Sequence, residues 1–426
     1  MVDVAGFTAP GWERVKDAFQ DNFELRHELG AGFSAYHRGE KVVDLWGGIA
    51  DETTGQPWER DTIVMVFSTT KGATALTANI MAQQGLIDFD APVSTYWPEF
   101  ATDVAGPANG KAATTVDHLI SHRAGLAWVD HLLTAEETFA WDPVIRSLEE
   151  QAPSWEPGTR HGYHATTFGW LVGEVVRRVS GTSLGATFRT QVAEPLGIDF
   201  HIGLPEADEP RVARLVSILE SITSGRTAFG ADGGGASGAG AGAGAGSYLE
   251  ALAKNAESYL APDGPLTRAL GAPMASQDEA HIRSRALRAA ELPAYNGIGD
   301  ARSIACMYAA TIGDTVTERG DKVRLLHDDQ LGRATTQRTE GPDQVLMGLD
   351  IQWGLGFMLN RGIIAAAGMG GPRAFGHFGM GGSGGWADPD NELAIGYVMN
   401  RMDIGTTGDR RLFSLAQACY EVLSAS

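Results

Sequence analysis

Phe67-Ser68-Thr69-Thr70-Lys71 sets a hydroxyl and an amine three residues apart, which on a helix puts both on one face, a turn apart. A serine hydroxyl attacks a carbonyl well only when a neighbouring base takes its proton. Lysine serves as that base only when burial or nearby positive charge lowers its usual pKa of about 10.4. A helix start adds free backbone N–H groups and positive potential beside the nucleophile. The plain alternative is an N-capping serine with a surface lysine three residues on. Against it, Lys71 would sit in the first helical turn, where a cation opposes the dipole.

Two other patterns resemble chemistry and are better explained otherwise. Gly381-Gly382-Ser383-Gly384-Gly385 matches the Gly-x-Ser-x-Gly nucleophile elbow, but that fold needs its histidine after the serine. No histidine follows residue 385, so Ser383 is expected in a glycine-rich turn between strands. His118 and His122 have the spacing of a helical metal pair, yet Leu119-Ile120-Ser121 between them lacks the glutamate of a zinc protease. A packed, hydrogen-bonded pair is the expectation, and no metal or organic cofactor is called for.

The elements that must hold Ser68 follow from periodicity. Residues 12–28 carry Trp12, Val15, Phe19, Phe23 and Leu25 on one helical face. Gly32 to Tyr36 and Val42 to Trp46, joined at Arg38-Gly39-Glu40, predict a β-hairpin. From Ser68 the period turns helical through Ala73, Leu76, Ile80 and Met81, with Gly85 as a stop. A second helix carries Phe168, Leu171, Val172, Val175, Val176 and Val179 and ends at Gly181. Strand signals return at Gln352 to Leu359, Ala374 to Phe378, Gly385 to Ala387 and Leu393 to Met399, before a closing helix at about 409–424. Strands at both ends and helices between them predict one antiparallel sheet assembled from the two termini. The expected division is a sheet domain of residues 1–90 and 290–426 and a mainly helical domain of 91–289. Within the latter, the Gly/Ala run 233–246 has almost nothing to bury and is expected to be a flexible loop.

Composition sets outer limits. A hydrophobic fraction of 43% over 426 residues supplies core for one large or two ordinary domains. A formal charge of −20 argues against nucleic-acid or anionic-membrane partners. Cys306 and Cys419, the two cysteines, do not make a disulfide framework. With no basic segment leading into an apolar run at the N-terminus and no stretch long enough to span a bilayer, a cytoplasmic chain is the expectation. Oligomeric state has no signal in the sequence.

Four segments, in order, resemble the penicillin-recognising, class C β-lactamase-like superfamily. They are Val66 to Lys71 with Gly85 to Val93; Val116 to Leu126; Glu156-Pro157-Gly158-Thr159 with Tyr163 and the helix ending Arg178-Val179-Ser180-Gly181; and Phe375 to Pro389. They span most of the chain outside residues 200–290. The resemblance implies an α/β (α+β) fold in which an antiparallel sheet from both termini is flanked by helices. It also implies an acyl-enzyme on Ser68, with Lys71 and Tyr163 moving protons. The partner is then a small-molecule acyl ester.

Departures from the family pattern narrow the substrate. The Tyr-x-Asn motif is Tyr163-His164-Ala165, so the amide that holds a β-lactam's acylamino group is missing. The Lys-Thr-Gly motif is His377-Phe378-Gly379, which loses the hydroxyl and exchanges a cation for a largely neutral imidazole. By position these three residues are the expected substrate-binding strand, and the backbone N–H groups of Ser68 and Met380 the expected oxyanion hole. The His-x-Gly form is similar to that of family VIII carboxylesterases, and esterase activity is the expectation. A β-lactamase or D-amino-acid peptidase, an acyltransferase, and a non-catalytic binding relative are the alternatives.

Overall fold

In the computed structural model, residues 2–101, 111–226, 258, 261–271, 279–405 and 408–425 are described. The Gly/Ala run 233–246 lies outside them. The sheet strands are β1 (Val4–Thr8), β2 (Gly30–His37), β3 (Glu40–Asp51), β4 (Met358–Leu359), β5 (Phe375–Phe378), β6 (Gly384–Asp388) and β7 (Leu393–Met399). They lie in the order β1-β3-β2-β7-β6-β5-β4, with Gln56–Pro57 paired onto β3. Every pairing is antiparallel, and β2 joins the two halves of the chain by pairing with β7 from Leu393↔His37 to Met399↔Ala31. All strands of this sheet therefore come from the two ends of the chain.

The β2–β3 hairpin turns at Arg38 and Gly39, both at positive φ (53° and 77°), the backbone that matches strand twist in a two-residue turn. Strand β7 is buried at every position, because both faces of the sheet are covered. Helix α1 (Glu13–Leu25) packs on α5 (Arg410–Ala425), while α4 (Ala301–Ile312) packs on β2, β6 and β7. Successive residues of β6 show the two faces: a Cβ on Gly384 would meet Leu412 of α5, and one on Gly385 would meet Tyr308 of α4.

Two helices flank the nucleophile turn. Helix α2 (Thr70–Gln83) is buried throughout Thr70 to Met81, so the expected one-sided apolar face is instead a helix enclosed all round. Helix α3 (Thr167–Ser180) packs against it and ends on Gly181 in the left-handed conformation (φ 73°).

Two expectations about strands need correction. Of Gln352 to Leu359, only Met358–Leu359 enters the sheet. Trp353, Leu355 and Phe357 are fully buried in an irregular segment closed by Gly354 N–H to the Phe357 carbonyl (2.9 Å). Their apolar character reflects burial, not sheet pairing. Strand β1 went unpredicted because it is an edge strand with Ala5, Gly6 and Phe7 exposed, which hides the alternation. Cys306 and Cys419 are buried free thiols. Among the described residues no helix is long and apolar enough to cross a membrane.

Under the sheet, Arg411 is buried with two carboxylates: Nη1 donates to Glu28 Oε1 (3.0 Å) and Nε to Asp409 Oδ2 (2.9 Å). Removing one partner of a buried ion pair strands the others. Arg411→Met is expected to lower unfolding free energy by about 3–5 kcal/mol, measured by urea denaturation.

Candidate active site

Ser68 stands on a 3₁₀ turn, Phe67–Thr69, that feeds directly into α2. Phe67 is held at φ 46°, a left-handed backbone that costs a bulky residue about 1–3 kcal/mol and survives only where the surroundings enforce it. That bend leaves Ser68 partly exposed between buried neighbours. The capping alternative does not hold: the residue preceding α2 is Thr69, with no side-chain cap bond. The Ser68 hydroxyl instead meets Lys71.

Lys71 is fully buried. Its Nζ lies 3.1 Å from Ser68 Oγ, 2.6 Å from the Ala165 carbonyl oxygen and 2.9 Å from that of Ala294. Burial alone holds the ammonium well below the ordinary lysine range, and no carboxylate among the described residues offsets it. A neutral amine has two N–H donors and one lone pair. With the donors on the two carbonyls, the lone pair is left to accept the Ser68 proton.

Tyr163 closes the third side. Its ring lies under the Lys71 amine (4.8 Å to the centroid) and stacks on Trp353 (5.4 Å, 10° between planes). Burial raises the phenol above its usual value, partly offset by a hydrogen bond with Ser68. Desolvation disfavours both charged forms, the Lys71 ammonium and the Tyr163 phenolate.

His377 is fully buried beside Tyr163 and Trp353 (centroids 6.1 and 5.6 Å). Its Nδ1 lies 2.8 Å from the Phe378 carbonyl and must donate to it. Burial, the largest cause, pushes it down to about 3. The imidazole is neutral, with only a lone pair on Nε2, which has no partner among the described residues. Phe378 departs from expectation. Strand alternation turns its ring to the opposite face, where it stacks on Trp386 (5.1 Å) and meets Phe413. Its side chain is core, not substrate-binding surface.

At Gly379 the strand end abuts the nucleophile turn. A Cβ there would stand 2.2 Å from both the Val66 carbonyl oxygen and Ser383 Oγ, so only glycine lets β5 come this close. Met380 follows, half-buried. Among the described residues neither the Ser68 nor the Met380 N–H donates within the protein.

Three further histidines are held in structural hydrogen bonds. His118 Nδ1 accepts the Thr115 N–H in a capping box at the start of the Val116–Ile120 helix. His122 lies beyond that helix at φ 61°, accepts the His164 N–H and meets Trp353 edge-on (4.3 Å). His164 Nδ1 donates to the Gly162 carbonyl, and its Nε2 accepts the Leu126 N–H. His161 is buried.

Two contributors escaped the sequence. Asp343, fully buried, accepts the N–H groups of Tyr163, Val345 and Leu346 on one oxygen (3.1, 2.8 and 2.8 Å) and so holds the tyrosine's backbone. The irregular segment 293–297 straps the nucleophile turn: besides the Ala294 carbonyl, Gly297 accepts the Val66 N–H (2.9 Å) and donates to Thr70 Oγ1 (2.8 Å). Most of these bonds are made by backbone atoms, which leave no residue-type signal.

A model of the family described as Beta-lactamase matches residues 15–419. The chain belongs to the beta-lactamase family. Within it, the chain is similar to the esterase/beta-lactamase LipL of Mycobacterium tuberculosis, 35% identical over 405 residues, 94% of this chain and 83% of that protein. It is similar in fold to a crystal structure of a family VIII carboxylesterase, with 36% identity, TM-score 0.81, and 99% of this chain and 100% of that one covered. A penicillin-binding protein homologue from Caulobacter crescentus gives 32%, 0.80, 99% and 100%. These beta-lactamase family matches reach across residues 200–290, where the sequence motifs are silent. Gly379→Ala, which must displace the Val66 carbonyl, is expected to destabilise the fold by about 1–3 kcal/mol in urea unfolding.

Proposed function

We propose that this family member is a serine carboxylesterase that hydrolyses neutral esters through an acyl-enzyme on Ser68. One observation carries the reading: a desolvated Lys71 amine, its N–H groups taken up by two carbonyls, within hydrogen-bond distance of the Ser68 hydroxyl. The same side chains would be needless in a binding module, where burying an amine without a counter-charge only costs stability. The esterase and carboxylesterase relatives support the same reaction class.

In the first step Lys71 accepts the Ser68 proton as the oxygen attacks the ester carbonyl. The Ser68 and Met380 N–H groups receive the oxyanion, a geometry in which each donor contributes about 10²–10³ in rate. The tetrahedral adduct then collapses, and Tyr163 gives its phenolic proton to the departing alkoxide. The Lys71 ammonium restores that proton to Tyr163. Water attacks the acyl-enzyme in a second round of the same transfers, releases the carboxylic acid and returns the proton to Ser68.

Substrate charge follows from His377. A substrate carboxylate placed there would face an imidazole lone pair in a buried setting instead of a cation. Ala165 likewise offers no amide to an acylamino group. Both favour neutral esters over β-lactams or peptides.

Ser68→Ala is expected to lose p-nitrophenyl ester hydrolysis by a factor of at least about 10³ and to lose covalent labelling by a fluorophosphonate at the Ser68 peptide. Full activity in a folded Ser68→Ala protein overturns the reading. A chromogenic cephalosporin cleaved faster than the ester overturns the substrate class. The pH profile has a predicted sign: kcat/KM falls on acidification as Lys71, whose pKa is depressed, gains a proton and ceases to be a base. On the alkaline side activity persists beyond the ordinary tyrosine range, since burial keeps Tyr163 protonated.

A further inference from the structure

Ser383 belongs to the glycine-rich turn that imitates a nucleophile elbow, and the proposed proton transfers do not use it. Its place in the fold is nonetheless specific. The side chain is 1% exposed, and its hydroxyl donates to the Val66 carbonyl at 2.7 Å. With that proton committed, its oxygen accepts from the Thr69 hydroxyl at 3.0 Å. The result is a directed chain, Thr69 O–H to Ser383 O–H to Val66 carbonyl, in which each bond polarises the next. Val66 and Thr69 bracket Ser68.

The other end of Ser383 holds the opposite half of the site. Its carbonyl accepts the Gly379 N–H at 2.8 Å, closing the turn that carries Met380. That turn is pinned from outside as well. Gly381 donates to the Gly405 carbonyl (3.0 Å), and its own carbonyl accepts from Asp403 N–H and Arg411 Nη2 (both 3.0 Å). Gly379 leaves the space the bridge occupies, since a Cβ there would collide with Ser383 Oγ. One residue thus joins the two backbone segments that present the Ser68 and Met380 N–H groups.

We propose that Ser383 is a positioning residue that fixes the separation of the two oxyanion-hole donors. The inference rests on the serine-esterase reading above and adds to it a residue that touches neither substrate nor the Ser68 hydroxyl. Alanine at 383 would leave the Val66 carbonyl and the Thr69 hydroxyl without their partner and free the two segments to separate. A shift of about 1 Å at a reacting centre costs up to about 10² in rate.

The test compares wild type, Ser383→Ala, Thr69→Val and Ser68→Ala. The readouts are kcat and KM for a p-nitrophenyl ester, inhibition by an aryl trifluoromethyl ketone, the acid limb of the pH profile, and near-UV circular dichroism for folding. The ketone's adduct with Ser68 places an anionic oxygen between the two N–H donors, so its affinity reports their alignment. Ser383→Ala is expected to lower kcat about 10- to 100-fold. Ketone affinity should fall by a similar factor, with KM nearly unchanged and the acid limb where it was. Thr69→Val, nearly isosteric, should move the same two readouts in the same direction by less. A folded Ser383→Ala with wild-type kcat and ketone affinity overturns the inference, as does a kcat loss with ketone affinity intact. If Ser383→Ala fails to fold, Thr69→Val decides by the same criteria. Full activity in Ser68→Ala overturns the nucleophile assignment itself. An inactive Ser68→Ala beside an unaffected Ser383→Ala overturns only the bridge.

Discussion

The Lys71 amine has two backbone carbonyls and a serine hydroxyl for company and, among the described residues, no carboxylate to hold its proton. Water would solvate an ammonium at this position far better than the protein does, so exclusion of water is what lets this lysine serve as the base proposed above. Each large element around it serves that exclusion. Helix α2 is buried on all sides, α3 packs across it, and the Trp353–Tyr163 stack closes the remaining face. A solvated Lys71 would be an ammonium at neutral pH, and Ser68 would keep its proton.

The same exclusion sets the neighbours' protonation. Desolvation raises Tyr163, lowers His377 and His164, and makes the cleft a place where neutral groups are the stable ones. On the proposed reading, such a site suits a neutral ester that becomes anionic only in the transition state, when backbone N–H groups are waiting for the charge. It suits poorly a substrate that arrives carrying a carboxylate. A buried neutral imidazole at His377, where the resembling family pattern has a lysine, thus alters the electrostatics of the cleft.

Much of the frame was legible beforehand because its signals are local. The β2–β3 hairpin, α3 with its Gly181 stop, strand β7 and helix α5 each have a period or a terminator within their own residues. The segment before β4 misled because Trp353, Leu355 and Phe357 are buried in an irregular loop, and apolar residues look alike in loop and strand. Strand β1 was hidden by its exposed edge. Phe378 was assigned to the cleft by motif position, while strand alternation sends its ring to the far side of the sheet.

Residue types and their order were enough to propose Ser68, Lys71 and Tyr163 as a set, since hydroxyl, amine and phenol are identities that spacing and family pattern preserve. They were also enough to discount the false elbow as a nucleophile, because the missing downstream histidine is a fact of order. Which protonation states Lys71 and Tyr163 favour depends on desolvation, and desolvation is a property of what packs from elsewhere in the chain. The strap at 293–297, the Asp343 anchor and the Ser383 bridge act through backbone atoms or across more than a hundred residues, and folding alone brings them to the same few ångströms.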